Sequence, residues 1–314
     1  MISYLEFEKP VAELEQRIAE LRAAAEGDDV DISNELQRLE LKSAALLTST
    51  YETLTPWQKT QVARHPSRPH FRDYVEYAFD EFVPLGGDRS YGEDEAILGG
   101  FAKLDGRKVV LIGHEKGNDT ASRLRHNFGM GKPEGYRKAI RLMELAGRFD
   151  LPVVTLVDTS GAFPGVEAEE RGQAEAIARS TEACLALPVP MVAAIVGEGG
   201  SGGAVALASA ERVLMMEHAV YSVISPEGCA SILWRTAERA PDAAEAMKVT
   251  AQDLEVLGVI DRIIAEPVGG AHRDPPAAAT SLGDAIAEEL DKLGRYSADE
   301  LKRMREERFL RIAG

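Results

Sequence analysis

A chain of 314 residues, 45% of them hydrophobic, has the material for one large core or two smaller ones, and its net charge of −16 argues against nucleic acid as a general partner. Two cysteines, Cys184 and Cys229, are too few for a disulfide framework or a cysteine zinc site, and the six histidines show no H-E-x-x-H spacing, so no metal is expected in the chain. No apolar run approaches the roughly 20 residues of a membrane span, and the start MISYLEFEKP has neither the basic nor the apolar region of an export signal, which makes a cytoplasmic protein the expectation.

The first 65 residues read as a helical hairpin extension. Val11, Leu14, Ile18 and Leu21 recur at helical spacing, the acidic stretch at 26–29 interrupts, and Ile32, Leu36, Leu39 and Leu46 begin a second stripe. Such stripes bury against the main body or a partner subunit. The prolines of RHPSRP, at 64–69, mark a boundary, and from Phe71 to the end strands alternate with helices. Around Asp105-Gly106 two β-like runs form a hairpin signal. KPEGYRKAIRLMELAGRF reads as a helix with Pro133 in its first turn, Tyr136, Ile140 and Met143 on one face and Phe149 near its end. LPVVTLVD and VPMVAAIV are short apolar runs of the kind buried on both faces, and the helix between them is expected to bury Ala174, Ile177, Ala178 and Thr181. The order implies an α/β fold of repeated β-β-α units.

Two glycine-rich loops, LVDTSGAFPG (156–165) and IVGEGGSGG (195–203), each follow a buried strand and precede a helix. Loops so placed gather at one sheet edge, where open α/β folds bind ligands. Three uses remain open for the second loop. Ser201, flanked as Gly199-x-Ser201-x-Gly203, fits a nucleophile elbow; the glycines can aim N–H groups at an oxygen that gains charge; or they serve tight packing alone. Two loops in register favour a binding site. In a chain otherwise acidic, residues 121–138 gather Arg123, Arg125, Lys132, Arg137 and Lys138, a group that could receive phosphates or an acidic partner, or simply face solvent.

The ordered segments RDYVEYAFDEFVPLGGDRSYGEDEAILGGFAKLDG, IGHEKG, NFGMGKPEGYRKAIRLM, DTSGAFPG, EERGQAEAIAR, GEGGSGGA, YSVISPEGCASILWR and EPVGGAHRDP resemble the family of bacterial acetyl-CoA carboxylase carboxyltransferase α subunits over nearly the whole chain. The resemblance implies a crotonase-type (ClpP/crotonase) spiral of β-β-α units over 71–314, ending in C-terminal helices, behind the N-terminal helical extension at 1–65. It implies carboxyl transfer from carboxybiotin, carried on the biotin carboxyl carrier protein and not attached to this chain, to acetyl-CoA. Malonyl-CoA for fatty acid synthesis is the product. It further implies an α2β2 assembly with a zinc-ribbon β subunit, and biotin carboxylase as a companion enzyme. Gly202 and Gly203 become backbone donors to the ureido oxygen of biotin, with Gly161, Ala162, Phe163, Gly199, Gly200 and Ser201 lining the pocket. The second oxyanion site, for the thioester, then belongs to the β subunit. The family pattern DTPGAYPG appears here with Ser160 for proline and Phe163 for tyrosine, and LHGDR appears as LGGDR at 85–89. The loss of a hydroxyl at Phe163 puts any role for that hydroxyl in question.

Other chemistries have their own candidates. A serine hydrolase would use Ser201 with Asp261 and His272. A crotonase-type enoyl-CoA hydratase would use Glu198 and Glu227 as acid and base, although Glu198 reads more simply as a cap on neighbouring N–H groups. A non-catalytic scaffold subunit would need only the helical start as a docking face.

Overall fold

The computed structural model describes residues 3–25 and 33–313. It opens with helices α1 (Lys9–Ala25) and α2 (Ser33–Glu52), packed on each other as the expected hairpin. Val11, Ile18 and Leu39 are buried, and Leu14, Leu21, Leu36 and Leu46 are half-buried. The interruption at 26–29 and Ile32 lie outside the described residues. Next come α3 (Pro56–Ala63), begun by a Thr55 cap on the Gln58 N–H, and α4 (Phe71–Ala78).

Between α3 and α4 the proline-rich stretch is more than a boundary. Its prolines stop the helices, but His65 and Arg68 are buried. Arg68 donates through Nε to the Val196 carbonyl at 2.8 Å and, as a fork, to both oxygens of Glu266 at 2.9 and 2.6 Å. The stretch is therefore threaded into the body of the molecule.

Strands β1 (Asp80–Pro84), β2 (Ile97–Leu104) and β3 (Arg107–His114) pair antiparallel. Asp105 and Gly106 both have left-handed φ, 48° and 73°, as the two-residue turn between β2 and β3 requires. The chain then runs through α5 (Thr120–Arg125), α6 (Pro133–Phe149), β4 (Val153–Thr159), α7 (Val166–Glu170), α8 (Gln173–Ala186), β5 (Met191–Gly200) and α9 (Ser201–Ala208). It continues with β6 (Arg212–Met216), β7 (Val220–Ser222), α10 (Pro226–Trp234), α11 (Ala240–Met247), α12 (Ala251–Val256) and β8 (Arg262–Ile264), and ends with α13 (Pro275–Leu293) and α14 (Ala298–Ala313). The sheet order is β1-β2-β3-β4-β5-β6-β8, parallel from β3 onward, so each step needs a crossover that lays a helix on the sheet.

Every residue of β4 is buried, as is nearly all of β5, which is why both read as unbroken apolar runs. β5 serves two partners in succession: residues 192–195 pair with β6, and residues 198–200 turn away to β7. That change of partner makes the two-strand turn and carries the second glycine loop out over the carboxyl edge of the sheet.

On α6, Tyr136 and Met143 are buried as expected, Ile140 is half-buried and Phe149 is exposed. α8 corrects its expected face. Ala174 and Ala178 are exposed, and the buried line is Gln173, Ala176, Ser180 and Cys184, with Ile177 and Thr181 half-buried at its side. The inward positions include polar residues satisfied from α9: Ser180 donates to the Ala206 carbonyl at 2.7 Å. Counting alanines could not find a face whose polar members are paired inside.

Candidate active site

The two glycine loops meet at the carboxyl ends of β4 and β5, where Thr159 pairs with Gly199. A Cβ on Gly200 would lie 2.2 Å from the Ser160 carbonyl oxygen, and one on Gly203 would lie 2.8 Å from the Gly161 carbonyl carbon. Only glycine lets these backbones touch. Gly202 is different, because a Cβ there would meet only the Ile177 side chain, at 3.4 Å. Packing thus accounts for Gly200 and Gly203 and leaves Gly202 unexplained. The N–H groups of Gly202 and Gly203 stand in the first turn of α9 and donate to no acceptor among the described residues. Gly203 is buried and Gly202 half-buried.

Facing the loops is a cleft of about 270 Å³ whose walls include Arg64, His70, Lys116, Phe128, Ser160 and Glu198. Its charged groups form one chain of contacts. Lys116 lies 2.7 Å from Asp158 and 2.9 Å from Glu198. Asp158 also meets His70 Nδ1 at 3.1 Å and accepts the Glu198 backbone N–H at 2.9 Å, which ties the first loop to the second. Arg64 reaches Glu198 through Nε and Glu227 through a terminal nitrogen, each at 2.6 Å. Burial alone would raise the pKa of Asp158 and of Glu198. Lys116, with His70 for Asp158 and with Arg64 for Glu198, outweighs it and holds both carboxyls below their ordinary values. Both are therefore ionised and paired near neutral pH.

Sequence reading missed most of this cluster. Arg64, His70, Lys116 and Asp158 were not singled out, although Lys116 and Asp158 stand where the apolar runs of β3 and β4 end, the position at which a charge in an α/β chain points to a site. Glu198 is corrected from a cap to an ion-pair member. The structure does bring Glu198 and Glu227 together, but across the Arg64 guanidinium, with Glu198 ionised, which is unsuited to an acid–base pair.

Ser201 sits exposed at a strand–helix corner with a left-handed φ of 50°, the shape a nucleophile elbow needs. The rest of a triad is missing. Asp261 is held by Arg308 and the Val213 N–H, His272 stacks on His65 with ring centres 3.7 Å apart, and neither bonds to Ser201. The basic group at 121–138 is not one surface. Arg125 pairs with Glu95, Lys132 lies 3.7 Å from Glu167 and Arg137 3.6 Å from Glu175, and Lys138 is buried against Glu93 and the Asp94 carbonyl. Lys138 is thereby corrected from a phosphate contact to an internal ion pair. Arg123 lines the cleft and bonds the Gly117 and Pro66 carbonyls, and among the described residues no carboxylate oxygen lies within 4 Å of it.

Phe163 is held by its backbone. Its N–H donates to the Gly131 carbonyl at 3.0 Å, its carbonyl accepts from Gln173 Nε2 at 2.9 Å, and Lys132 Nζ lies 4.7 Å from its ring centre. A tyrosine hydroxyl is not needed to place this ring. Among the described residues no group of three or more His, Cys, Asp or Glu is arranged to hold a metal ion, and no helix is long and apolar enough to cross a membrane.

The family model described as acetyl co-enzyme A carboxylase carboxyltransferase-like matches residues 4–313. The chain is 84% identical over 314 residues to the acetyl-coenzyme A carboxylase carboxyl transferase subunit alpha of Erythrobacter litoralis, covering 100% of both chains. It is 70% identical over 312 residues to that of Rhizorhabdus wittichii, covering 99% of this chain and 100% of the relative. Among solved structures, transcarboxylase 12S with methylmalonyl-coenzyme A bound is similar at a TM-score of 0.60 and 19% identity, over 73% of this chain and 42% of that one. The β subunit of geranyl-CoA carboxylase from P. aeruginosa is similar at a TM-score of 0.57 and 17% identity, over 78% of this chain and 45% of that one. These likenesses establish the fold as the crotonase-type carboxyltransferase architecture.

Proposed function

This chain belongs to the acetyl-CoA carboxylase carboxyltransferase-like family, and from that premise we propose that its glycine loops form the biotin-side half of a carboxyl-transfer site shared with a partner subunit. Family membership makes it a carboxyltransferase α subunit, one component of a multi-subunit enzyme with acyl-CoA substrates and biotin-dependent chemistry. The observation that carries the finer assignment is the pair of unpartnered N–H groups on Gly202 and Gly203, beside a residue whose lack of a side chain packing does not require.

Bound carboxybiotin supplies the carboxyl group and a ureido oxygen that takes up negative charge as that group departs. The first turn of α9 is suited to that charge, since its N–H groups and the helix dipole point outward at a fixed spacing. Preorganised donors of this kind are worth about 3 kcal/mol each in the transition state. Gly202 leaves the backbone open to a ring, and Gly161, Ala162 and Phe163 form the neighbouring wall, with Gly199, Gly200 and Ser201 completing the loop. Asp158 and Glu198 are paired carboxylates, so they hold the loops rather than move protons. Arg123, at the cleft rim, is the strongest of the basic candidates for a phosphate or an acidic partner; Arg125 and Arg137 are secondary.

The remaining assignments belong to the same proposal. The carboxyl donor is carboxybiotin on the biotin carboxyl carrier protein, charged by biotin carboxylase, and the acceptor is acetyl-CoA, giving malonyl-CoA in the cytoplasm. The partner is a zinc-ribbon β subunit in an α2β2 assembly that supplies the thioester oxyanion site. Residues 1–65 form a helical extension and 71–314 the carboxyltransferase domain. Purified alone, the chain should transfer no carboxyl group between malonyl-CoA and biotin, and adding the β subunit should restore transfer with a dependence on protein concentration. Robust transfer by the uncontaminated chain alone would overturn the division of the site.

A further inference from the structure

We propose that Arg64, contributed by the stretch between α3 and α4, is a positioning residue that sets the distance between the glycine loop and α10. The inference rests on the biotin-side assignment above. Arg64 stands just past the end of α3, and its guanidinium is divided between two glutamates from different elements: Nε to Glu198 and a terminal nitrogen to Glu227, each at 2.6 Å. Glu198 lies two residues before Gly200, and Glu227 is in the first turn of α10. Arg64 also lines a second, narrow cavity with Gly199 and Gly200 on one side and Ser225 and Pro226 on the other. It is thus a crossbeam between the two walls.

The fastening is unequal at its two ends. Glu198 is held from three directions, by Arg64, by Lys116 and through its own N–H by Asp158. Among the described residues the Glu227 side chain meets Arg64 alone, and its second oxygen is buried with no partner. Without the guanidinium, two carboxylates would face each other across the gap, and the weakly held wall, α10, would move. Lysine cannot replace it, because one ammonium does not present two N–H edges in a fixed fork. The distant N-terminal segment therefore forms a working part of the site, although its arginine touches no reacting atom.

The test uses the complex with the β subunit, assayed for carboxyl transfer from malonyl-CoA to biotin. Activity of the unaltered complex checks the underlying assignment, and the variants check this inference separately. Arg64→Gln should lower turnover on the order of tenfold to a hundredfold, the range expected when a reacting group is misplaced by about 1 Å. The loss should fall in kcat and in the KM for biotin, leaving the KM for malonyl-CoA unchanged. Arg64→Lys should recover only part of it. Glu227→Gln, at a partly exposed side chain that does not endanger folding, should lower turnover less. Combined with Arg64→Gln it should add no further loss, because the tie is already cut and the change removes the repulsion between the two carboxylates. Unchanged turnover in Arg64→Gln would overturn the inference. So would a loss seen only in thermal stability or assembly, a rise in the KM for malonyl-CoA alone, or additive losses in the double variant.

Discussion

Two arginines four residues apart in a proline-rich stretch do different work. Arg68 is sealed: wholly buried, it forks onto Glu266 and caps a carbonyl of β5. Arg64 is at the cleft, its side chain 29% exposed, and divides itself between two elements. A closed fork inside the body leaves nothing to adjust and fixes the fold. An open, shared one sets a distance, and water at the cleft softens the cost of losing it.

Removing Arg68 should cost the most. Arg68→Ala would leave the Glu266 carboxylate buried without its cation, a cost of about 3–5 kcal/mol, read as a lowered urea midpoint or failure to accumulate folded protein. Arg64→Gln should cost less than about 1 kcal/mol by the same measurement. Equal losses at the two positions would erase the distinction.

The glycine loop offers a sharper form of it. Gly203→Ala should lower both stability and transfer, because its Cβ would collide with the backbone of Gly161. Gly202→Ala has room beside Ile177 and should keep its melting temperature, while transfer falls on the order of a hundredfold as the ureido oxygen is pushed off its donors. Ser201→Ala, assayed in parallel, should keep turnover near that of the parent. A Gly202→Ala enzyme that turns over normally would return the loop to packing alone.

The sealed region also carries a pH dependence. Burial would raise the Glu266 carboxyl, but Arg68 overrides it and holds the group at about 2 against an ordinary 4.5. A depressed carboxylate contributes stability above its unfolded value, so that contribution should fade between about pH 4.5 and 2. His272 is pushed down to about 3 from 6.5, by burial first and then by His65, so the unfolded chain takes up its proton earlier and stability should begin to fall below pH 6.5. Urea midpoints measured from pH 8 to pH 3 should begin to decline below pH 6.5, from His272, and fall further below about pH 4.5 as the Glu266 contribution fades. A flat profile from pH 6.5 to pH 4 would contradict the His272 expectation, and one flat from pH 4.5 to pH 3 the Glu266 one.

What was legible in the sequence was local. The Asp105-Gly106 turn, the start of α6 at Pro133, the buried runs of β4 and β5 and the two glycine loops each follow from neighbours in the chain, and the structure has them all. In sequence the stretch at 64–69 reads as a boundary by its prolines, and its arginines give no signal because their partners lie 134, 163 and 198 residues away. No spacing rule reaches that far. The face of α8 was misplaced for a related reason: its buried serine is satisfied by a carbonyl 26 residues on, in α9. The chemistry follows from the family resemblance, and it is packing, visible only in the fold, that separates Gly202, which it leaves unexplained, from Gly200 and Gly203, which it accounts for.

The 198-residue separation of Arg68 and Glu266 also orders events in time. A ribosome adding about 5–20 residues per second presents the guanidinium roughly 10–40 seconds before the carboxylate that will enclose it. Until then Arg68 has no reason to leave water, while β2 to β5 can already form their sheet. The fork that encloses Arg68 therefore cannot close before synthesis has passed β8.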